Sequence, residues 1–99
     1  MTEPVKVTFT MDLKDEAAEA VCSSFAATLP DTRAFPGCRS VNAFRSKDHP
    51  NRVLLIEEWD SQEDYEKYLA WRNRDGMIDN MASILTTPSK PEFWPIKLA

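Results

Sequence analysis

The apolar residues of this 99-residue chain change period along its length, and the order of those changes limits the fold most. Val5, Val7, Phe9, Met11 and Leu13 alternate with Lys6, Thr8, Thr10 and Asp12, which describes a strand with one apolar face. The period then lengthens. Ala18, Val21, Phe25 and Leu29 recur at helical spacing, behind a Lys14-Asp15-Glu16 start whose acids suit the positive end of a helix. Pro30 is expected to stop this helix, and Pro30 to Gly37 reads as a loop with a Pro-Gly turn. Cys38 to Arg45 reads as a second strand, with Val41 and Ala43 on one side and Cys38 and Phe44 on the other. Arg52 to Trp59 reads as a third, apolar on both faces at Val53-Leu54-Leu55-Ile56 and so the most buried. The polar Ser46–Asn51 link makes these two an antiparallel hairpin.

A second helix begins at Ser61, where Ser61-Gln62-Glu63-Asp64 resembles a capping box. Tyr65, Tyr68, Leu69 and Arg72 share one face of it. Gly76 interrupts it, and Met77, Ile78, Met81, Ile84 and Leu85 resume a helical stripe up to Pro88 and Pro91. A last strand is expected from Glu92 to Leu98, with Pro95 placing it at a sheet edge. The order strand, helix, strand, strand, helix, strand predicts an α+β fold. It is the ferredoxin-like, split βαβ arrangement, an antiparallel sheet with helices on one face. Residues 1–99 are expected to form a single domain. Helices on one face leave the other bare, and an apolar bare face predicts a homodimer packed sheet to sheet.

Composition removes several functions. Twelve basic residues against sixteen acidic give a net charge of -4, and the basic ones are scattered. Neither nucleic acid nor an anionic membrane is therefore an expected partner. No apolar run approaches the roughly 18 residues that span a bilayer. The Met1-Thr2-Glu3-Pro4-Val5 start lacks the pattern of a secretory leader. Cys22 and Cys38 are too few for a disulfide framework and lack metal-site spacing, so a reducing, cytoplasmic setting is expected. The only histidine, His49, lies in a polar link, so no metal site is expected. Gly37 and Gly76 are the only glycines, which excludes a Gly-rich phosphate loop. Glu57 and Glu58 are neighbours on a strand and point to opposite faces.

The aromatic residues carry more. Trp59, Tyr65, Tyr68, Trp71 and Arg72 crowd the end of the third strand and the second helix. Between sheet and helix they could stack a flat aromatic ligand, with a phenol and a guanidinium as polar anchors. Spacing alone favours a plainer reading, in which the aromatics are core and the arginine reaches solvent along its stem.

Three stretches add a family resemblance. Glu57-Glu58-Trp59-Asp60-Ser61, Tyr65-Glu66-Lys67-Tyr68-Leu69-Ala70-Trp71-Arg72 with Gly76, and the upstream Phe35-Pro36-Gly37-Cys38 together resemble the antibiotic biosynthesis monooxygenase domain family, over roughly residues 4–98. The resemblance implies a ferredoxin-like fold and a homodimer whose sheets form a dimeric α/β barrel. It also implies a cavity between sheet and helices. Members include oxygenases that oxidise phenols, quinols or anthrones without metal, flavin or haem, so no cofactor is expected. Carried onto this chain, Trp59 would form the inner wall, Tyr65 would be a proton partner or hydrogen-bond donor, and Arg72 would stabilise an anion. Phe9, Asn42, Phe44, Leu55 and Tyr68 would contact a small aromatic substrate.

The chain also departs from the family. Leu55 stands where the polyketide oxygenases carry an asparagine four residues before the tryptophan. The histidine of the haem-degrading branch has no counterpart. Tyr68 and Arg72 occupy the stretch where the quinol-oxidising branch carries a helical histidine. Two other readings remain: a catalytically silent ligand-binding module, and an isomerase or decarboxylase of a carbonyl compound. The last would use Glu57, Glu58 or Tyr65 as its base, and a cavity carboxylate titrating far above its ordinary range would favour it.

Overall fold

The structure, a computed structural model, describes residues 4–99. The leader reading above starts on Met1–Glu3, which lie outside the described residues. The elements are β1 (Val5–Asp12), α1 (Asp15–Arg33), β2 (Cys38–Arg45), β3 (Arg52–Trp59), α2 (Gln62–Asn73), α3 (Met77–Ile84) and β4 (Glu92–Trp94). The strands form one antiparallel sheet in the order β2-β3-β1-β4, the split βαβ topology expected from the sequence.

Register decides which side chains meet the helices. β1 pairs with β3 so that Val5 faces Trp59, Val7 faces Glu57, Phe9 faces Leu55 and Met11 faces Val53. Cross-strand partners share a face, so all eight lie on the helix side. Val41 and Ala43 of β2 join them opposite Glu57 and Leu55. Two apolar clusters result. Val5, Val7, Trp59 and Tyr65 form one, and Met11, Leu13, Ala18 and Val53 form the other. The half-buried Phe9–Leu55 pair lies between their strand positions. β3 exposes only Arg52, in keeping with its expected burial.

Three local expectations need correction. α1 does not stop at Pro30 but runs on to Arg33. Proline removes the hydrogen bond its own N–H would make to residue 26 and crowds that carbonyl, but Ala26 is exposed, so its carbonyl is not sealed from solvent. The added turn buries Thr32. Cys38 does not share a face with Phe44. A bulge between Cys38 and Ser40 inserts an extra residue, and Cys38 turns inward against the cluster around Trp59. β4 ends at Trp94 rather than Leu98, because Pro95 cannot donate to a ladder.

Two glycines shape the connections. Gly37, at φ +93°, makes the turn into β2, and a Cβ there would come within 2.6 Å of the Asp64 Cβ. The close approach seats the start of α2 beside that turn, and Ser61 Oγ caps α2 by accepting from Asp64 N at 3.1 Å. Gly76, at φ +74°, redirects the chain from α2 into α3, as expected from its interruption of the stripe. The end of α3 is tied to the start of α1 by Lys14 N–H donating to Ile84 O at 2.9 Å, and the chain beyond it to β1 by Thr86 N–H donating to Asp12 O at 2.8 Å.

Candidate functional site

The gap between the two clusters widens into a cavity of about 410 Å3, bounded by the sheet, α1, α2, α3 and the segment Leu85–Pro91. That volume suits a small organic ligand. Phe9, Leu55 and Glu57 form part of its floor, and Tyr65, Tyr68 and Arg72 part of its wall. The rest is largely aliphatic, with Met77, Ile78 and Met81 contributed by α3.

Glu57 is the unusual floor residue. It is 4% exposed, on the apolar side of β3. Trp59 Nε1–H donates to its Oε1 at 3.1 Å. No described group bonds its Oε2, and no side-chain oxygen among the described residues is sealed from solvent without a partner. Oε2 therefore opens onto the cavity that Glu57 lines. Burial pushes the carboxyl up to about 7, against a smaller lowering by the Trp59 hydrogen bond. Near neutral pH it can both accept and release a proton.

The neighbours take different states. Tyr65 is 2% exposed, and burial, with Glu57 and Tyr68 nearby, raises its phenol well above the ordinary tyrosine range. It stays protonated near neutral pH. Burial, then Glu57, pushes the Cys38 thiol up to about 11, so Cys38 is no thiolate nucleophile.

Arg72 is tied back to α1. Its Nε donates to the Tyr68 phenol oxygen at 3.0 Å, and its Nη2 donates to Thr28 O at 3.0 Å and Thr32 Oγ1 at 2.8 Å. Thr32 Oγ1 and the Tyr68 hydroxyl are themselves 2.8 Å apart. The guanidinium lies 4.6 Å from the Trp71 ring centroid and 5.4 Å from that of Tyr68.

Of the residues singled out from sequence, the structure brings Phe9, Leu55, Tyr65, Tyr68 and Arg72 to one cavity. Trp59 is not on its surface. It is fully buried, 5.1 Å from Tyr68 and 5.6 Å from Tyr65 between ring centroids, so it stands behind the wall those two and Glu57 form. Asn42 and Phe44 lie outside the cavity altogether. They pair with Ile56 and Leu54 on the opposite face of the sheet, where Phe44 is 53% exposed. Glu58 also points that way, beside Lys6 and Arg39. Thr32 and Lys90 line the cavity and were not singled out from sequence. Thr32 fell in the stretch read as loop beyond Pro30. Glu57 could have been ranked higher, since alternation alone sets it between Leu55 and Trp59 on the apolar face.

The fold and this cavity define an α+β domain with a ligand-sized chamber between sheet and helices. The chain belongs to the antibiotic biosynthesis monooxygenase family, whose sequence profile matches residues 4–79. Solved structures agree on the fold. Protein Rv0793 from Mycobacterium tuberculosis is 23% identical with a TM-score of 0.83, over 98% of this chain and 99% of that one. A conserved protein from Methanosarcina mazei Go1 is 12% identical with a TM-score of 0.83, over 97% and 95%. An antibiotic biosynthesis monooxygenase is 18% identical with a TM-score of 0.81, over 94% and 98%. No curated protein matches the chain. Among the described residues no cluster of three His, Cys, Asp or Glu side chains is placed to hold a metal, and no helix is long and apolar enough to cross a membrane.

Proposed function

We propose that the chain is a cofactor-independent monooxygenase that oxidises a small phenol, quinol or anthrone with molecular oxygen, using Glu57 as its base. The observation that carries this reading is a carboxylate on the floor of an apolar cavity, with one oxygen open to it and a pKa raised to about 7. Family membership supports the reaction class. Glu57 Oε2 takes a proton from the bound substrate, and the resulting anion is electron-rich enough to reduce oxygen directly. For an anthrone, the methylene carbon gains one oxygen atom as a carbonyl, and the second oxygen atom leaves as water with the two hydrogens removed.

The other residues support that step. Arg72 stabilises the anion, and Tyr65 donates a hydrogen bond within the cavity. Phe9, Leu55 and Tyr68 hold the ring system. Trp59 positions Glu57 and keeps its wall rigid. The protein works as a cytoplasmic homodimer. Phe44 and Trp94, 53% and 51% exposed on the uncovered face, support sheet-to-sheet pairing, with the half-buried Leu54 and Ile56 beside them.

The test is oxygen uptake by metal-free protein on a panel of quinols, anthrones and naphthols. Uptake with an oxygenated product, lost in Glu57→Gln, supports the proposal. Ligand binding without any turnover contradicts it and leaves a silent binding module. The raised Glu57 also favours a second reading, an isomerase or decarboxylase working by the same proton abstraction. Turnover that continues under nitrogen would select it.

A further inference from the structure

We infer that the ligand of this cavity is an aromatic carboxylate, and that Arg72 selects it by holding its ionised group. The inference rests on the cavity being the ligand site, and it names the class of molecule that enters.

Only three charged side chains line the cavity among the described residues: Arg72, Lys90 and Glu57. Two are cations, and the third is a carboxyl that burial holds partly protonated at neutral pH. The chamber is thus positive in a chain whose net charge is -4. Electrostatic complementarity selects the sign of what binds there.

Arg72 has no acidic partner. Arg39, Arg45 and Arg52 each lie against a carboxylate, from Asp60, Glu19 and Asp12 respectively, while Arg33 and Arg74 also lack one among the described residues but do not line the cavity. No described carboxylate lies within 4.0 Å of Arg72, whose hydrogen bonds all go to neutral oxygens. Those bonds use Nε and Nη2, which leaves the Nη1 donors for a ligand. A half-buried cation beside an apolar chamber gains more from a counter-charge than one in open water does. The side chain is also fixed in advance. Bonds to α1 and the stack on Trp71 hold the guanidinium plane, so an incoming anion need not order it.

The kind of anion follows from chemistry. A phenol reaches the site neutral near pH 7, since its ordinary pKa is about 10. A carboxylate arrives charged, and its planar oxygens suit a guanidinium edge. A phosphate dianion would call for more donors than one free nitrogen and Lys90. The apolar walls and the aromatic rings of Tyr65 and Tyr68 account for the rest of the molecule.

Calorimetric titration at pH 7.5 with 2-naphthoate, 2-naphthamide and 2-naphthyl phosphate tests this. The wild-type protein should bind naphthoate at least about tenfold tighter than the amide, in keeping with a charge-assisted bond. Arg72→Gln should remove that preference, with acid and amide binding equally whatever the wall loses from the missing ties to α1, because the charge is what separates the two probes. Arg72→Lys should keep much of it, since it loses the ties to α1 but retains the charge. A purely structural Arg72 would instead affect acid and amide alike.

Equal binding of acid and amide by the wild type would overturn the inference, as would a preference that survives Arg72→Gln. Tighter binding of the phosphate would overturn the carboxylate assignment. Amide binding without acid preference leaves the cavity reading intact. If neither probe binds yet a quinol is oxidised, only the inference falls. If neither binds and no oxygen is consumed, both readings fall.

Discussion

The two faces of the sheet are built from adjacent residues and behave oppositely. Glu57 looks into the cavity, buried and pushed up to about 7. Glu58, the next residue, lies on the outer face, partly exposed and within 4.0 Å of Lys6 and Arg39. The same carboxyl group is held at a raised pKa on one face and sits in surface ion pairs on the other. Desolvation makes the difference, since an exposed pair is worth little and a buried acid is held protonated. Phe9 and Phe44 repeat the contrast: one lines the cavity and the other stands 53% exposed on the uncovered face.

The sharpest way to break this comparison is Glu57→Gln beside Glu58→Gln. General-base catalysis contributes roughly 100- to 10,000-fold, so the first should cut turnover on that order and the second should leave it within twofold. Oxygen-uptake rates on a confirmed substrate check this. A comparable loss in both would mean the faces are not functionally distinct.

Trp59 comes next. Trp59→Ala should cost about 3–5 kcal/mol in chemical denaturation, as loss of a fully buried aromatic does. Trp59→Phe keeps most of the ring but removes the Nε1–H bond that lowers Glu57. The midpoint of the pH–rate profile should then move upward. An unmoved midpoint would show that the bond does not tune the base.

The covered face also has a stability signature. A carboxyl raised in the folded state contributes stability that is fully present below its unfolded value, 4.5, and is lost as pH rises through about 7. Glu57→Gln carries no such charge. Its stability relative to wild type should therefore improve between pH 5 and 8, by up to on the order of 3 kcal/mol. Denaturation curves at those two pH values measure it, and a constant difference would contradict the burial of this charge.

On the uncovered face, Phe44→Asp should weaken sheet-to-sheet association at least about tenfold, read by sedimentation, with the cavity intact. The smallest effect belongs to the α2 cap. Ser61→Ala should lose about 1 kcal/mol of stability, because one hydrogen bond to Asp64 N–H is removed. That change should leave self-association untouched, since α2 lies on the covered face.

Much of this division was legible in the sequence. A period of two places Val5, Val7, Phe9 and Met11 together, and helical spacing places Tyr65, Tyr68, Leu69 and Arg72 together. Both are local rules, and both held. The misplacements came where a local rule met a tertiary one. Resemblance points Asn42 and Phe44 into the cavity, although the strand parity of Val41 and Ala43 sets them on the other side. Cys38 broke its own parity because the bulge before Ser40 shifts the register, and nothing local marks a bulge there. Pro30 reads as a stop in the sequence because a lone residue does not show that burial of Thr32 carries the helix on. Trp59 is a wall residue by sequence, yet only packing from both Tyr65 and Tyr68 decides that it stands behind the surface.

Glu57 is proposed as a buried base on the covered face, and the ionisation of its own carboxyl is the deciding measurement. The carboxyl can be followed by NMR on protein labelled with 13C at the glutamate side chains, with Glu57→Gln assigning the resonance. A midpoint close to 7 is expected. A midpoint below 5, in the range of an ordinary surface glutamate, would contradict the account and leave the cavity without its base.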